Sequence, residues 1–174
     1  MNFQRLGDFI KQVATRNTDL TMTEPKGINM HKEFIQSVAN TIGTDMSKYR
    51  VVKNTQFAYN PMHVGRDHLV PIALHLGQEN IIVSPAYVVF EITRPQELLP
   101  QYLMFWFKES NFDRRAWFTT DNSVRGGFSW DSLCDMTIPI PTPQEQALIC
   151  LKNLYETQGD FLHRKELLNL ALGE

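Results

Sequence analysis

Three features that define large classes of protein are scarce or missing in this sequence. No apolar run approaches the ~18 residues that a membrane span needs, and no basic segment followed by an apolar one comes after Met1. Only two of the 174 residues are cysteines, Cys134 and Cys150, and they form neither a disulfide framework nor a zinc-ligand pair. We therefore expect a soluble, cytoplasmic protein with two buried thiols, no membrane association and no metal.

Excess basic charge is also missing. The chain has 17 Lys and Arg against 19 Asp and Glu, a formal net charge of −2, whereas domains that bind nucleic acid unaided are typically strongly basic. Because affinity for random DNA comes mostly from neutralising phosphates, we expect the isolated chain to bind random DNA weakly. Any role on DNA would then be carried out within a complex.

The motifs of common catalytic sites are missing too. The Asn-Pro-Met-His sequence at 60–63 differs at its last two positions from the Asn-Pro-Pro-aromatic motif of adenine methyltransferases, and no glycine-rich methyl-donor loop follows a strand. The Ser-Val-Arg-Gly-Gly sequence at 123–127 lacks the spacing of a phosphate-binding loop. We expect no methyltransferase activity, no nucleotide site and no cofactor.

A metal-dependent nuclease site is not favoured by the histidine pattern. His63, Asp67, His68 and His75 do not have a recurrent metal-ligand spacing, and exposed or hydrogen-bonded histidines are the simpler interpretation. A metal-dependent enzyme acting on DNA, with its site near 60–75, stays as an alternative function.

The sequence does contain enough apolar material for one core. It is 43% hydrophobic, with 11 Phe, 5 Tyr and 3 Trp, and large aromatic side chains dominate burial. Runs rich in β-branched or aromatic residues predict short strands, and Pro100 and Ser129 are placed to begin helices. This mixture indicates a compact α+β domain with a mixed sheet over 1–141. The strands are predicted at 51–52, 56–59, 72–76, 81–83, 87–92 and 136–138, and the helices at 100–108, about 112–118 and from 130.

The composition changes after residue 141. Thr142 can cap a helix whose first residue is Pro143, and Glu145 completes a Thr-x-x-Glu capping box. The pattern then predicts one helix up to Leu172, interrupted only by Gly159, so that 142–174 forms a coiled-coil-like spacer or dimerisation helix.

This predicted helix has more apolar surface than one small domain can cover. A helix of about 30 residues is about 45 Å long, so its outer end must pack on something else. Burying each Leu or Phe is worth roughly 1.5–3 kcal/mol, which favours an antiparallel homodimer or a partner subunit on the seam. The seam residues are Leu151, Leu154, Phe161, Leu168 and Leu172.

Three segments, taken together, resemble one protein family. They are Phe-Ala-Tyr-Asn-Pro-Met-His-Val-Gly-Arg at 57–66, Ser-Val-Arg-Gly-Gly at 123–127 and Pro-Ile-Pro-Thr-Pro-Gln-Glu-Gln at 139–146. In this order they resemble the target-recognition domain of the specificity subunit of type I restriction-modification systems. The likeness implies a non-catalytic subunit that reads one half of a bipartite site in double-stranded DNA. It also implies docking to methyltransferase and restriction/translocase subunits.

A full specificity subunit carries two such domains and two helices, whereas this chain has one set. We expect either a natural half-subunit or half of a longer gene product, and a homodimer would rebuild the two-domain plan. An interaction module that uses its long helix and has no role on DNA stays as a second alternative.

The resemblance and the side-chain chemistry together suggest DNA contacts. Asn60 can pair with adenine, Arg66 with guanine or phosphate, and His63 can donate to either, although a simple turn after a strand is the alternative. The resemblance also places the loop of Ser123 and Arg125 on the DNA side, the alternative for Arg125 being a carboxylate partner. Contacts that position phosphates are expected among other basic residues, including Lys32 and Lys48.

Overall fold

The computed structural model describes residues 3–39, 41–62, 69–120, 127–157 and 161–172, with the backbone alone at 155–157 and 161–166. Within these ranges the strands form two four-stranded sheets and one two-stranded sheet. The helices lie mostly in the second half of the chain. The α+β class is confirmed.

The first sheet is antiparallel throughout and has the order β2-β9-β6-β7. All three residues of its inner strand β6 are buried. Because alternate side chains of a strand point to opposite sides of a sheet, β6 is covered on both faces. Phe57 and Tyr59 belong to the main core beside the helices, whereas Ala58 packs towards the second sheet with Val52 and Val83. The strands are β2 (Ile10–Val13), β6 (Phe57–Tyr59), β7 (Ile72–Leu74) and β9 (Val88–Ile92).

The second sheet is mixed and has the order β4-β3-β8-β5. Strands β3 and β8 are parallel, and the other two pairings are antiparallel. The expected mixed sheet is thus present. Its strands are β3 (Pro25–Ile28), β4 (Phe34–Gln36), β5 (Arg50–Val52) and β8 (Ile81–Val83). A separate pair joins β1 (Phe3–Arg5) to β10 (Thr137–Pro139).

Three helices follow the sheets and complete the main core. They are α1 (Pro100–Lys108), α2 (Ser110–Thr119) and α3 (Trp130–Asp135). Leu103 and Phe107 lie one turn apart on the buried face of α1. The Phe107 ring stands edge-on to Phe57 at 5.8 Å and lies 4.8 Å from Phe112. Aromatic packing therefore joins the first sheet to α1 and α2.

The C-terminal region is helical, as expected, but it is not one helix. Helix α4 (Pro143–Thr157) and helix α5 (Phe161–Leu172) pack against each other as a hairpin. The capping box at the start of α4 is present: Thr142 N–H donates to Glu145 Oε2 at 2.9 Å, and Glu145 N–H donates to Thr142 Oγ1 at 3.3 Å.

The expectation of a single unbroken helix is therefore wrong, and burial gives the reason. Leu151 from α4 and Leu167 from α5 both lie in the main core, which one straight helix would not allow. The sequence between the helices includes Gly159, and glycine disfavours a helix by about 1 kcal/mol relative to alanine. Folding back therefore loses little helix propensity and covers apolar surface within the chain.

Gln146 ties this hairpin to the rest of the domain. Its side chain has no exposed surface. The amide nitrogen donates to the carbonyls of Glu97 at 2.7 Å and Pro141 at 2.8 Å, and its oxygen accepts from Leu99 N–H at 2.9 Å. One side chain thus connects the first turn of α4 to the segment that leads into α1.

We predict that Gln146→Leu destabilises the fold. The leucine fills a similar volume but leaves the part-buried Leu99 N–H and two part-buried carbonyls without this partner, and a fully buried group of this kind would cost about 1–3 kcal/mol. Urea unfolding of the intact chain measures the loss. Gln144→Leu, in the same turn but exposed, is the control and should change stability by less than about 0.5 kcal/mol. Equal effects of the two substitutions would contradict the role of Gln146.

Candidate nucleic-acid interface

Asn60 is placed directly after β6 and is 7% exposed. Its Oδ1 accepts from Met62 N–H at 3.0 Å, and its own backbone N–H donates to the Pro71 carbonyl at 3.0 Å. These bonds turn the chain at Asn60 and join it to Pro71, which lies beyond 63–68 in sequence. The contact of Asn60 with DNA stays a prediction.

The two loop motifs, far apart in sequence, meet at one place in the fold. Phe128 N–H donates to the Pro61 carbonyl at 2.8 Å. A Cβ added to Gly127 would lie 2.8 Å from the same carbonyl oxygen, so only glycine fits there without a shift. We call Pro61, Gly127 and Phe128 the segment junction. Glycine at 127 thus allows the backbone to approach Pro61 closely.

An aromatic layer supports the segment junction from the core side. The Phe128 ring lies 6.2 Å from Tyr59 and 6.1 Å from Phe112, both at steep angles. Tyr59 is fully buried, and its hydroxyl has no hydrogen-bond partner among the described residues. Burial raises the pKa of Tyr59, so this hydroxyl stays protonated. The junction is thus built on a rigid apolar base.

Four of the candidate DNA-contacting residues lie outside the described residues: His63, Arg66, Ser123 and Arg125. Their contact with DNA stays a prediction. The structure does describe the residues on either side of them, up to Met62 and from Gly127 onward, and these anchor both segments at the segment junction.

Lys32 was expected to contact phosphates, but it is 6% exposed. Its ammonium donates to both carboxylate oxygens of Asp113 at 2.8 Å and to the Phe107 carbonyl. Burial lowers the pKa of Lys32, and its hydrogen bond to Asp113 opposes this. Because all three ammonium protons are already engaged inside the protein, the geometry does not favour Lys32 as a DNA contact.

Lys48 has the exposure that Lys32 lacks. Its side chain is 65% exposed and lies 3.5 Å from the Asp45 carboxylate, three residues earlier. Exposed pairs of this kind hold a side chain only weakly, so Lys48 is available to a phosphate. Its contact with DNA stays a prediction.

The apolar seam proposed for dimerisation divides into two groups. Leu151 is buried and Leu154 packs against the main core, so these two are occupied within the chain. This corrects the premise that one domain cannot cover the seam. Leu168 and Leu172 on α5 are 46% and 64% exposed, and the side chain of Phe161 lies outside the described residues.

The side chains considered for other chemistry have structural roles where they are described. His75 is 9% exposed, and its Nε2 lies 2.7 Å from the Glu79 carbonyl, in agreement with the hydrogen-bonded interpretation. Cys134 and Cys150 are both buried free thiols, as expected. Burial raises the pKa of Cys150 to about 12, which makes it unreactive. Across the described ranges, no three His, Cys, Asp or Glu side chains are grouped so as to hold a metal.

Comparison by sequence identifies no relative: no family model matches the chain, and neither does any curated protein. Solved structures do match. The HsdS subunit from Thermoanaerobacter tengcongensis superposes with a TM-score of 0.59 over 90% of this chain, at 14% identity. This is the fold of part of an HsdS specificity subunit.

A second solved structure agrees with this specificity-subunit fold. It describes complex assembly and conformational transition of the type I R-M system, and one of its chains matches 99% of this chain with a TM-score of 0.55 and 11% identity. The chain spans 40% of that protein and 42% of the HsdS subunit. The resemblance inferred from the sequence is confirmed at the level of the fold.

Two tertiary contacts of this fold were not predicted from the sequence. Asp113 receives Lys32 and also accepts from Val70 N–H at 3.0 Å, but an acidic residue in a helix gives no sequence signal for such a role. The contact of Gly127 with Pro61 joins two motifs that are far apart in sequence, so it requires knowledge of the tertiary structure. In the part of the chain that the structure describes, no helix is long and apolar enough to cross a membrane.

We predict that Gly127→Ala strains the segment junction. The new methyl group would meet the Pro61 carbonyl at 2.8 Å, and overpacking of this kind costs about 1–3 kcal/mol. Urea unfolding of the intact chain measures the cost. Gly27→Ala is the matched control, because a Cβ at Gly27 meets nothing within 4 Å. If both alanine variants are as stable as the parent chain, the junction is not tightly packed.

Proposed function

We propose that this chain is a non-catalytic DNA sequence-recognition subunit of a type I restriction-modification system, working in the cytoplasm. The observation that carries the proposal is the fold, which matches an HsdS subunit over 90% of the chain despite 14% identity. In this proposal the chain reads one half of a bipartite target and leaves methylation and cleavage to other subunits.

The segment junction supports a shared reading surface. The Pro61 carbonyl accepts from Phe128 N–H at 2.8 Å, so described residues close in sequence to 63–68 and to 121–126 lie together. Each contains one arginine, Arg66 or Arg125, and arginine is the residue that most often reads guanine in the major groove. We infer that the two segments face the same stretch of duplex.

The helical hairpin of α4 and α5 is the surface that we assign to docking, with a second copy of this chain on the exposed part of α5 and partner subunits on the rest. It carries exposed apolar side chains at Leu148, Leu168 and Leu172, which are 56%, 46% and 64% exposed. A net charge of −2 supports dependence on partners, since a chain with so little basic excess has weak affinity for phosphates.

Mapping of DNA methylation tests the proposal directly. The chain is co-expressed with the methyltransferase subunit of a type I system from the same genome, in a host without other methylation, and modified positions are mapped by sequencing. We expect one bipartite motif that disappears when this chain is omitted. A methylation pattern that is unchanged when this chain is omitted would contradict the proposal.

We predict that Arg66→Ala and Arg125→Ala weaken binding of the assembled complex to its target. A lost base contact costs about 1–3 kcal/mol and relaxes sequence preference, whereas a lost phosphate contact weakens all sequences alike and lowers the salt slope by about one. Binding to the mapped motif and to a scrambled duplex at several salt concentrations distinguishes the two. Lys11→Ala, at an exposed position on β2, is the control. Unchanged affinity in both arginine variants would remove these segments from the reading surface.

We also predict that the chain self-associates through the exposed part of α5, forming the homodimer that would supply the second half-site. Sedimentation of the intact chain should give a dimer, and Leu168→Glu/Leu172→Glu should give a monomer without loss of fold, because both side chains are exposed in the single chain. Val38→Glu, at a position 98% exposed and outside the hairpin, should stay dimeric. A parent chain that sediments as a monomer would assign this surface to another subunit.

A further inference from the structure

Asp113 is the meeting point of three parts of the chain. Its carboxylate binds the Lys32 ammonium with both oxygens at 2.8 Å, and the same Oδ1 accepts from Val70 N–H at 3.0 Å. The Lys32 and Asp113 side chains are only 5% and 19% exposed. Buried charges of this kind persist where their hydrogen bonds are satisfied and directional.

The Lys32 side of this pair is held in an unusual backbone conformation. Lys32 has a φ of 61°, in the left-handed region that few residues other than glycine adopt. It lies in the turn between β3 and β4, where the Asn29 side-chain oxygen accepts from the N–H groups of His31 at 2.9 Å and Glu33 at 3.0 Å. A strained turn is maintained only where the surroundings require it. Here it directs the Lys32 side chain inwards to Asp113.

The Val70 side of the pair lies close in sequence to a segment for which we propose a function. Val70 is fully buried, and it follows in sequence the residues 63–68 that include Arg66. The Pro71 carbonyl, one residue later, accepts from Asn60 N–H at 3.0 Å, which closes the same loop. The Asp113 carboxylate therefore contacts Val70, which follows 63–68 in sequence. Asp113 itself lies on α2, the helix that precedes 121–126 in sequence.

We propose that Lys32 and Asp113 are positioning residues for DNA reading: they set the place of Val70, and through it determine how sharply the protein distinguishes its target from other DNA. The inference rests on the proposed DNA-reading function. It assigns Lys32 an effect on DNA specificity without any contact between Lys32 and DNA.

A double substitution separates positioning from stability. In Lys32→Met or Asp113→Leu alone, the remaining buried charge lacks its partner, and both stability and selectivity should fall. In Lys32→Met/Asp113→Leu neither charge of the pair remains, so stability should recover above that of either single variant, less the cost of the unpartnered Val70 N–H. The acceptor for Val70 N–H is still missing, so selectivity should not recover.

Two measurements on the complex with its methyltransferase partner decide between these outcomes. Stability is followed by urea unfolding, and selectivity is the ratio of affinities for the mapped motif and a scrambled duplex. We expect the double variant to lose at least about fivefold in this ratio, the size of one weakened base contact. Lys11→Met breaks an exposed pair between Lys11 and Glu91, which lie 3.0 Å apart, and should change neither quantity.

Hydrogen–deuterium exchange gives a readout that does not need DNA. The peptide that contains Val70 should exchange faster in the double variant than in the parent chain, while the peptide over β9 should not change. A stable double variant with parental selectivity and parental exchange at Val70 would overturn the inference. A parent complex without any sequence preference would instead overturn the proposed function.

Discussion

Burial of aromatic rings contributed by both the sheet and the helices is the interaction on which the rest of this structure depends. Phe57 of β6 stacks on Phe90 of β9 at 4.9 Å, and Phe107 of α1 stands edge-on to both. Large rings in contact contribute more than their buried area alone. Because these rings come from the central strands and from α1, they determine how the first sheet and the helices are placed, and hence where the loops between them begin.

Buried polar groups then place the loops on this apolar base. Gln146 holds the start of α4, Asn60 turns the chain after β6, and Asp113 holds Val70 beside Lys32. Each makes directional bonds to backbone groups, and for the fully buried Val70 the loss of the partner would be costly. The aromatic core can tolerate exchange among apolar residues of similar volume, whereas these polar contacts specify single arrangements. We interpret the tolerance of the aromatic core as the reason that a fold can be shared at 11–14% identity.

Local sequence signals predicted the second half of the chain well. The helix at 100–108, the Ser129 cap and the Thr142–Glu145 capping box are all present, because caps and the first turns of helices depend on neighbouring residues. The strands β1 to β4 were not predicted. Each has only three or four residues, and β3 contains both proline and glycine, so its pairing with β8 comes from tertiary contacts rather than from propensity.

By itself, the sequence determined the α+β class, the order of most elements, the buried thiols and the family resemblance, because periodicity, caps and motifs are readable along the chain. Tertiary structure alone decided that the C-terminal region folds back on itself. The apolar spacing is compatible both with one straight helix and with a hairpin. The hairpin is the arrangement in which Leu151 and Leu167 are buried together in the main core. It also decided that Lys32 is internal and that Gly127 meets Pro61, since both facts depend on residues distant in sequence being brought within bonding distance.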